Sequence, residues 1–185
     1  MIALDLDGTL LDYSPEGPTP RINHALMARL AVRGVREVAI LTNQGGLCFG
    51  VLGYKRKDGK PYPTPAQFYM RLAIARNALA MHGIAVSAVR VSCWHKAAAQ
   101  PEIAAAVQLA ARQVRECLAK HRVQFHSDVD WTLYTTARAR KPSPLMLHSV
   151  GATEYWGDSD EDQQVAQAAG VPFVRVDRFF GEGQA

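Results

Sequence analysis

Short apolar runs alternate along the chain with segments whose apolar residues recur at helical spacing. The runs predict buried strands at residues 1–6, 35–41, 88–91, 154–156 and 173–176. The periodic segments predict helices at residues 22–32, 65–81, 101–121, 145–150 and 161–169. Because parallel strands are joined by helical crossovers, the alternation predicts an α/β fold: a Rossmann-like open parallel sheet of about five strands with helices on both faces.

The chain length indicates a single domain over residues 1–185, because 185 residues are enough for one full hydrophobic core and short for two. Hydrophobic residues make up 48% of the chain and charged residues 21%, a balance that argues against extended disorder. Residues 47–64 combine glycines, prolines and a basic cluster with no clear period. They predict a long loop or a hairpin, and loops of that length are usually functional.

Cysteine usage and the first residues favour a cytoplasmic protein. The three cysteines are odd in number and unevenly spaced, which fits a reducing compartment better than a disulfide framework. Two acids lie within the first seven residues, unlike a signal peptide. No apolar run approaches the roughly 20 residues that cross a bilayer, so no membrane association is expected.

Polar clusters follow three of the predicted strands, at residues 5–9, 42–44 and 157–162. Ligands of open parallel sheets bind outside the carboxyl ends of the strands, so these clusters are expected to meet there. Asp5, Asp7 and Asp158 would repel one another unless a hard cation neutralised them, and Mg²⁺ is usually held by a few carboxylates and waters. The sequence therefore predicts a metal site formed by these three acids.

The same edge of the sheet carries the residue types of phosphoryl transfer. Asp5 and Asp7 are two positions apart on an extended chain, so one can attack phosphorus while the other transfers a proton. Gly8 permits a tight turn, and loop amides with the Thr42 hydroxyl can cradle phosphate oxygens. Lys141, held extended by the proline after it, is the candidate for balancing the charge of the transferring group.

These motifs stand in the order found in one family of phosphatases. They are Asp5-Leu6-Asp7-Gly8-Thr9-Leu10, Thr42-Asn43-Gln44, Lys141-Pro142 and Gly157-Asp158, and they span most of the chain. The chain resembles the haloacid dehalogenase superfamily. The resemblance implies that Asp5 forms an aspartyl-phosphate, and that Asp7 protonates the leaving group and then activates water. An acid at position 7 favours a phosphatase over a dehalogenase.

The resemblance also assigns further site residues. It implies that Mg²⁺ is bound by Asp5, the backbone carbonyl of Asp7 and Asp158. Asp162 resembles a second acid that supports or joins the metal site, with Asp160 and Glu161 as alternatives. The catalytic positions are Asp5, Asp7, Thr42 and Lys141, and the substrate-binding positions are Gly8, Thr9, Asn43, Gln44 and Arg140.

A narrower likeness concerns Thr42-Asn43-Gln44-Gly45 together with Arg140-Lys141-Pro142. This combination resembles the small-cap branch that contains histidinol-phosphatases, heptose bisphosphate phosphatases and polynucleotide 3′-phosphatases, and no stretch is long enough for a large cap domain. Members of the first two groups often carry a zinc loop ending in Cys-x-Cys before Arg-Lys-Pro, where this chain has Ala137 and Ala139. Cys93 and His95 alone cannot complete a tetrahedral site, so zinc is not expected.

The preferred substrate is a phosphorylated nucleic acid, single-stranded or nicked, or a nucleotide, which makes the chain a polynucleotide or nucleotide 3′-phosphatase. The net charge of +4, the pI near 9.1 and the Lys55-Arg56-Lys57 cluster support this reading, with Tyr54, Tyr62 and Trp94 as stacking groups. A small-molecule phosphatase for histidinol phosphate or a sugar phosphate stays open, as does a non-catalytic phosphate-binding protein on the same fold. Nothing in the sequence indicates an oligomeric state.

Overall fold

Six parallel strands form one open sheet in a computed structural model that describes residues 1–12, 20–95, 99–125 and 129–176. The spatial order is β4-β3-β2-β1-β5-β6. The strands are β1 (Ile2–Leu4), β2 (Glu37–Asn43), β3 (Ala85–Ser92), β4 (Asp130–Tyr134), β5 (Glu154–Gly157) and β6 (Phe173–Arg175). The predicted fold class is confirmed, with no large cap among the described residues, although the sheet has six strands instead of about five.

Six α-helices connect the strands in the described part of the chain, and capping residues set the start of α1, α3 and α6. They are α1 (His24–Val32), α2 (Gly46–Val51), α3 (Pro65–Met81), α4 (Pro101–Phe125), α5 (Leu145–Ser149) and α6 (Asp160–Ala169). Thr64 and Gln67 form a reciprocal capping box at the start of α3, as Ser159 and Asp162 do for α6. The left-handed Gly170 ends α6. The predicted starts of both helices and the end of α6 therefore lie within a residue of the observed ones.

The two faces of the sheet are covered by different helices. Leu4, Ile40 and Trp156 face a core shared with α1 to α4. Their neighbours along the strands face the opposite side, where small residues such as Ala3 and Ala39 let α5 and α6 approach closely. This alternation is the period of two expected for strands that are buried on both faces.

Two elements differ from the sequence prediction. The edge strand β4 was not predicted, because Asp130 and Thr132 interrupt its apolar residues and the strand is only partly buried. Residues 47–64 were predicted to be a loop or hairpin, but the segment begins within the helix α2, and only its later part is a hairpin with Lys55 bridged to Pro61. Gly50 obscured this helix, yet a Cβ there would lie 2.3 Å from the carbonyl oxygen of Pro63.

The strand order creates a crevice beside β1. The chain proceeds from β1 outward through β2 and β3 to β4, and then returns to place β5 on the other side of β1. The carboxyl ends of β2, β1 and β5 therefore lie side by side at the point where the order reverses, which is where open α/β sheets bind ligands. None of the helices in the described ranges combines the length and apolar character needed to cross a membrane.

Candidate active site

A buried lysine lies at the centre of the crevice. Lys141, 5% exposed, reaches the sheet from the segment after β4. Its Nζ atom is 2.5 Å from Asp5 Oδ1, 2.6 Å from Asp162 Oδ1 and 3.0 Å from the hydroxyl of Tyr155. The three ammonium protons thus have three acceptors, which is what a lysine needs when it is removed from water.

The two carboxylates bound to this lysine form a cluster with a third, and the three can hold a cation. Asp5, Asp158 and Asp162 are buried, and each offers an oxygen within 4.8 Å of the other two. With all three ionised and Lys141 protonated, three negative charges and one positive charge leave a surplus of two negative charges. Buried charges need compensation, and oxygen donors suit hard cations, so the site fits a divalent ion of that kind.

The pKa values reflect the same imbalance. Burial raises the pKa of Asp5 well above its usual range, although the charge of Lys141 opposes this effect. Burial also raises the pKa of Asp162, but the charge and hydrogen bond of Lys141 outweigh it and the net shift is downward. Burial lowers the pKa of Lys141, while the charges of Asp5, Tyr155 and Asp162 raise it well above its ordinary value. Both shifts have the direction that favours a charged Lys141 and disfavours ionisation of Asp5 while no further positive charge is present.

Two glycines allow the carboxylates to approach the backbone. Gly8 has a φ of 91°, and a Cβ atom at this position would lie 2.4 Å from Asp158 Oδ2. A Cβ on Gly157 would lie 2.5 Å from Cγ of Asp162. The sequence analysis assigned Gly8 to the substrate, and the structure brings it against the acid at the end of β5. Any side chain at position 8 would displace that carboxylate.

Asp7 is not a member of the carboxylate cluster, although it also lines the cavity. Its Oδ1 accepts hydrogen bonds from Arg71 Nη2 at 2.6 Å and Nε at 3.2 Å. Its Oδ2 accepts one from Gln44 Nε2 at 2.5 Å, and the same nitrogen donates to Thr42 Oγ1 at 3.0 Å. Asp5 and Asp7 therefore have different partners, and the assignment of the Asp7 backbone carbonyl to the metal stays a prediction.

Two predicted substrate-binding residues contact the Lys141 segment and the start of α6. Asn43 Oδ1 accepts from the backbone N–H of Lys141 at 3.1 Å, and its Nδ2 donates to Glu161 Oε2 at 3.1 Å. Arg140 donates to the Trp94 carbonyl at 3.5 Å and lies 3.8 Å from Glu161 Oε1. These contacts position the lysine, since they fix the backbone that carries it.

Thr9, also predicted to bind substrate, is fully buried in the turn after β1. Its carbonyl accepts a hydrogen bond from Asn23 Nδ2 at 3.0 Å. Asn23 in turn caps α1 by accepting from the Leu26 N–H at 3.0 Å. Thr9 therefore joins the turn to the first helix, and the structure does not bring it to the wall of the cavity.

A cavity of about 550 Å³ opens above the site. Its polar floor includes Asp5, Asp7, Thr42, Gln44 and Lys141. The lining also includes residues of the hairpin and α3, namely Arg56, Lys60, Tyr62, Phe68, Met70 and Arg71. The cavity lining thus combines four carboxylates with lysines, arginines and apolar side chains.

Arg71 and Tyr155 are site residues that the sequence analysis did not single out. Arg71 lies three positions after the buried Phe68, so it borders the apolar stripe of α3, and this spacing was the available signal. Tyr155 is fully buried, accepts from Lys141 and donates to Asp162 Oδ1 at 2.8 Å. A tyrosine in a strand that ends in acidic residues was the corresponding signal there.

Comparison with known proteins adds no relative. No protein-family model matches the chain, and no curated protein matches it either. The resemblance to haloacid dehalogenase phosphatases therefore stays a prediction from the motifs.

Proposed function

We propose that this protein is a Mg²⁺-dependent phosphomonoesterase in which Asp5 accepts the phosphoryl group. One observation carries the proposal: Asp5 and the buried Lys141 form an ion pair in the lining of a cavity. The pair belongs to a cluster with Asp158 and Asp162 that has two surplus negative charges when all its carboxyl groups are ionised. Asp5, Asp158 and Asp162 supply the oxygen donors that fit Mg²⁺. When bound, Mg²⁺ neutralises charge on the phosphoryl oxygens.

In the first step, a carboxylate oxygen of Asp5 forms a bond to phosphorus and the ester P–O bond breaks. Lys141 orients Asp5 through its 2.5 Å contact and balances the negative charge of the transferring group. The leaving oxygen takes a proton from Asp7. The products of this step are the alcohol and an aspartyl-phosphate.

In the second step, water attacks phosphorus, gives a proton to Asp7 and releases phosphate by breaking the bond to Asp5. Gln44 suits both states of Asp7, because its amide can present either Nε2 to a carboxylate or Oε1 to a protonated carboxyl group. In the described orientation Nε2 donates to Asp7 Oδ2. The hydroxyl group of Thr42 can hydrogen-bond to the Gln44 amide in either orientation, because it can both donate and accept.

The preferred substrate is a 3′-phosphorylated nucleotide or polynucleotide. Arg56, Lys60 and Tyr62 line the same cavity as Asp5. Cationic groups next to an aromatic ring suit a nucleotide with its phosphates. A small-molecule phosphomonoester is the second candidate, because a cavity of about 550 Å³ is within the usual size range of small-ligand sites.

The test is a screen of phosphate release with Mg²⁺ over 3′-phosphorylated oligonucleotides, nucleotides, histidinol phosphate and sugar phosphates. Asp5→Asn is the control, and phosphate release by that variant at the wild-type rate would exclude the mechanism. Salt separates the two substrate classes, because affinity for an oligonucleotide falls steeply with rising salt and affinity for a small monoester does not. Phosphate binding without turnover by the wild type would favour the non-catalytic alternative.

A cytoplasmic location completes the proposal. Cys48, Cys93 and Cys117 are all free thiols, and the first two are buried. Unpaired cysteines suit a reducing compartment. Fractionation of cells that express the protein tests this location, and recovery in an oxidising compartment would contradict it.

A further inference from the structure

Arg71 contacts the turn after β1 at two points. From α3, its guanidinium donates to Asp7 Oδ1 through both Nε and Nη2, and Nη2 also donates to the carbonyl oxygen of Asp12 at 2.6 Å. The side chains of Arg71 and Asp7 are 22% and 17% exposed. Both are thus largely shielded from water, where charge-assisted hydrogen bonds are strong.

We propose that Arg71 is a positioning residue for Asp7, an inference that rests on the phosphomonoesterase reaction proposed above. Both of its hydrogen bonds to the carboxylate go to Oδ1, so Oδ2 is left to Gln44 and to the reacting oxygen. A guanidinium fixed by the Asp12 carbonyl prevents rotation of the carboxylate. A fixed orientation matters because proton transfer requires the correct distance to the leaving oxygen.

The alternative is that Arg71 only fastens the turn to α3. Arg21 provides a matched control, because it contacts the same turn without touching the carboxylate of Asp7. Arg21 Nε is 2.9 Å from Asp12 Oδ2, and its backbone N–H donates to Asp12 Oδ1 at 3.0 Å. Loosening the turn through Arg21 therefore separates a structural effect from an effect on Asp7.

The leaving group distinguishes the two roles. The nitrophenolate of p-nitrophenyl phosphate leaves without a proton, whereas the alkoxide of glycerol 2-phosphate needs one from Asp7. The kcat/KM value covers the steps up to release of the alcohol, so it excludes hydrolysis of the aspartyl-phosphate, which both substrates share. The ratio of kcat/KM for the aryl ester to that for the alkyl ester therefore reports on proton delivery by Asp7. The ratio rises when Asp7 delivers its proton less well.

The experiment measures this ratio with Mg²⁺ for wild type, Arg71→Gln, Arg71→Lys and Arg21→Gln. Arg71→Gln is expected to lower kcat/KM for glycerol 2-phosphate about 10- to 100-fold and for p-nitrophenyl phosphate less than about threefold. Arg71→Lys restores one donor to Asp7, so its ratio should lie between those of wild type and Arg71→Gln. Arg21→Gln should leave the ratio at the wild-type value.

An equal loss on both esters in Arg71→Gln would overturn the positioning role while leaving the proposed function intact. If Arg71→Gln does not fold, Arg71→Lys decides, and a wild-type ratio in that variant would overturn the inference. A raised ratio in Arg21→Gln would also overturn it, because it would trace the effect to the turn. If the wild type does not hydrolyse glycerol 2-phosphate, the best alkyl phosphate from the screen above takes its place in the ratio. Failure of the wild type to hydrolyse any phosphomonoester in that screen would instead overturn the proposed function, and this inference with it.

Discussion

Two buried cations in this protein have the same exposure and different surroundings. Arg90 in β3 and Lys141 at the crevice are each 5% exposed. Arg90 donates to the Asp130 carbonyl at 2.8 Å, the Asp130 carboxylate at 2.5 Å, the Ser149 hydroxyl at 3.0 Å and the Val89 carbonyl at 3.3 Å. Its acceptors are largely neutral. Two of the three acceptors of Lys141 are carboxylates.

Under the proposed function, this difference separates a cation that stabilises the fold from one that takes part in the reaction. Around Arg90, one guanidinium pairs with one carboxylate, that of Asp130, which is 66% exposed, so charge is balanced and water assists. At Lys141, one ammonium group pairs with two carboxylates of a buried cluster of three, beside a cavity. Such an imbalance is costly in an isolated protein, and it makes the site complete only when positive charge is added.

The largest expected effect is loss of activity in Lys141→Met. Without the ammonium group, Asp5 loses its orientation and the phosphoryl oxygens lose a compensating charge, so kcat should fall about 10²- to 10³-fold. Steady-state phosphate release measures this loss, and circular dichroism checks that the variant is folded. A folded variant with wild-type kcat would show that the two buried cations are alike.

The reverse result is expected for Arg90→Met. The carbonyl groups around it lose their donor, so the free energy of unfolding should fall by about 2–3 kcal/mol. At a temperature where the variant is folded, its activity should stay within about twofold of the wild-type value. The reason is that a substitution away from the site changes the stability of the fold and leaves the site itself unaltered. Chemical denaturation gives the first value. A large loss of kcat without loss of stability would contradict the structural role.

The surplus negative charge near Lys141 predicts a stabilising metal effect. At a Mg²⁺ concentration about ten times Kd, wild-type protein should gain about 1.4 kcal/mol in unfolding free energy. Asp158→Asn removes one carboxylate from the cluster, so the gain should shrink strongly. Thermal denaturation with Mg²⁺ and with a chelator measures both. An equal gain in the variant would place the ion elsewhere.

The smallest effect is expected for an ion pair at the surface. Arg33 binds both carboxylate oxygens of Glu154, at 2.7 and 3.0 Å, and its hydrogen bond holds the pKa of Glu154 below the usual range. A carboxyl group whose pKa is lower in the folded state than in the unfolded state stabilises the fold at pH values above the unfolded pKa. That contribution is lost as the pH falls through the folded pKa. Glu154→Gln should therefore lower the denaturation midpoint slightly near neutral pH and not at all in acid. A difference that persists in acid would contradict this.

The alternation of elements could be read from the sequence because the central strands are apolar runs and helices such as α3 and α6 begin at capping residues. Helix α3 has the predicted bounds, since Thr64 and the following proline fix its start. Edge strand β4 could not be read, because burial on one side does not require a continuous apolar run. Helix α2 was hidden by its glycines, whose reason is a close approach to Pro63 that no local pattern reveals.

The site followed the same division between local pattern and distant contact. The acidic motifs could be named from their positions after strands and Lys141 from the proline that follows it. The structure brings Asp5, Asp162 and Lys141 together, with Asp158 in the same carboxylate cluster. The contacts of Asn43 with Lys141 and Glu161 could not be foreseen, because they join residues about a hundred positions apart. Arg71 was missed for the same reason, since an arginine on a helix usually faces water.

The pairing of Asp5 with Lys141 joins residues 136 positions apart in sequence. A contact at such separation forms late in folding, because the entropic cost of closing the long intervening loop must be met before the contact can contribute free energy. Neither half of the chain can hold this site alone. Recovery of enzymatic activity after dilution from denaturant should therefore lag behind the return of the helical circular dichroism signal. The rate at which turnover returns then measures the last step of folding.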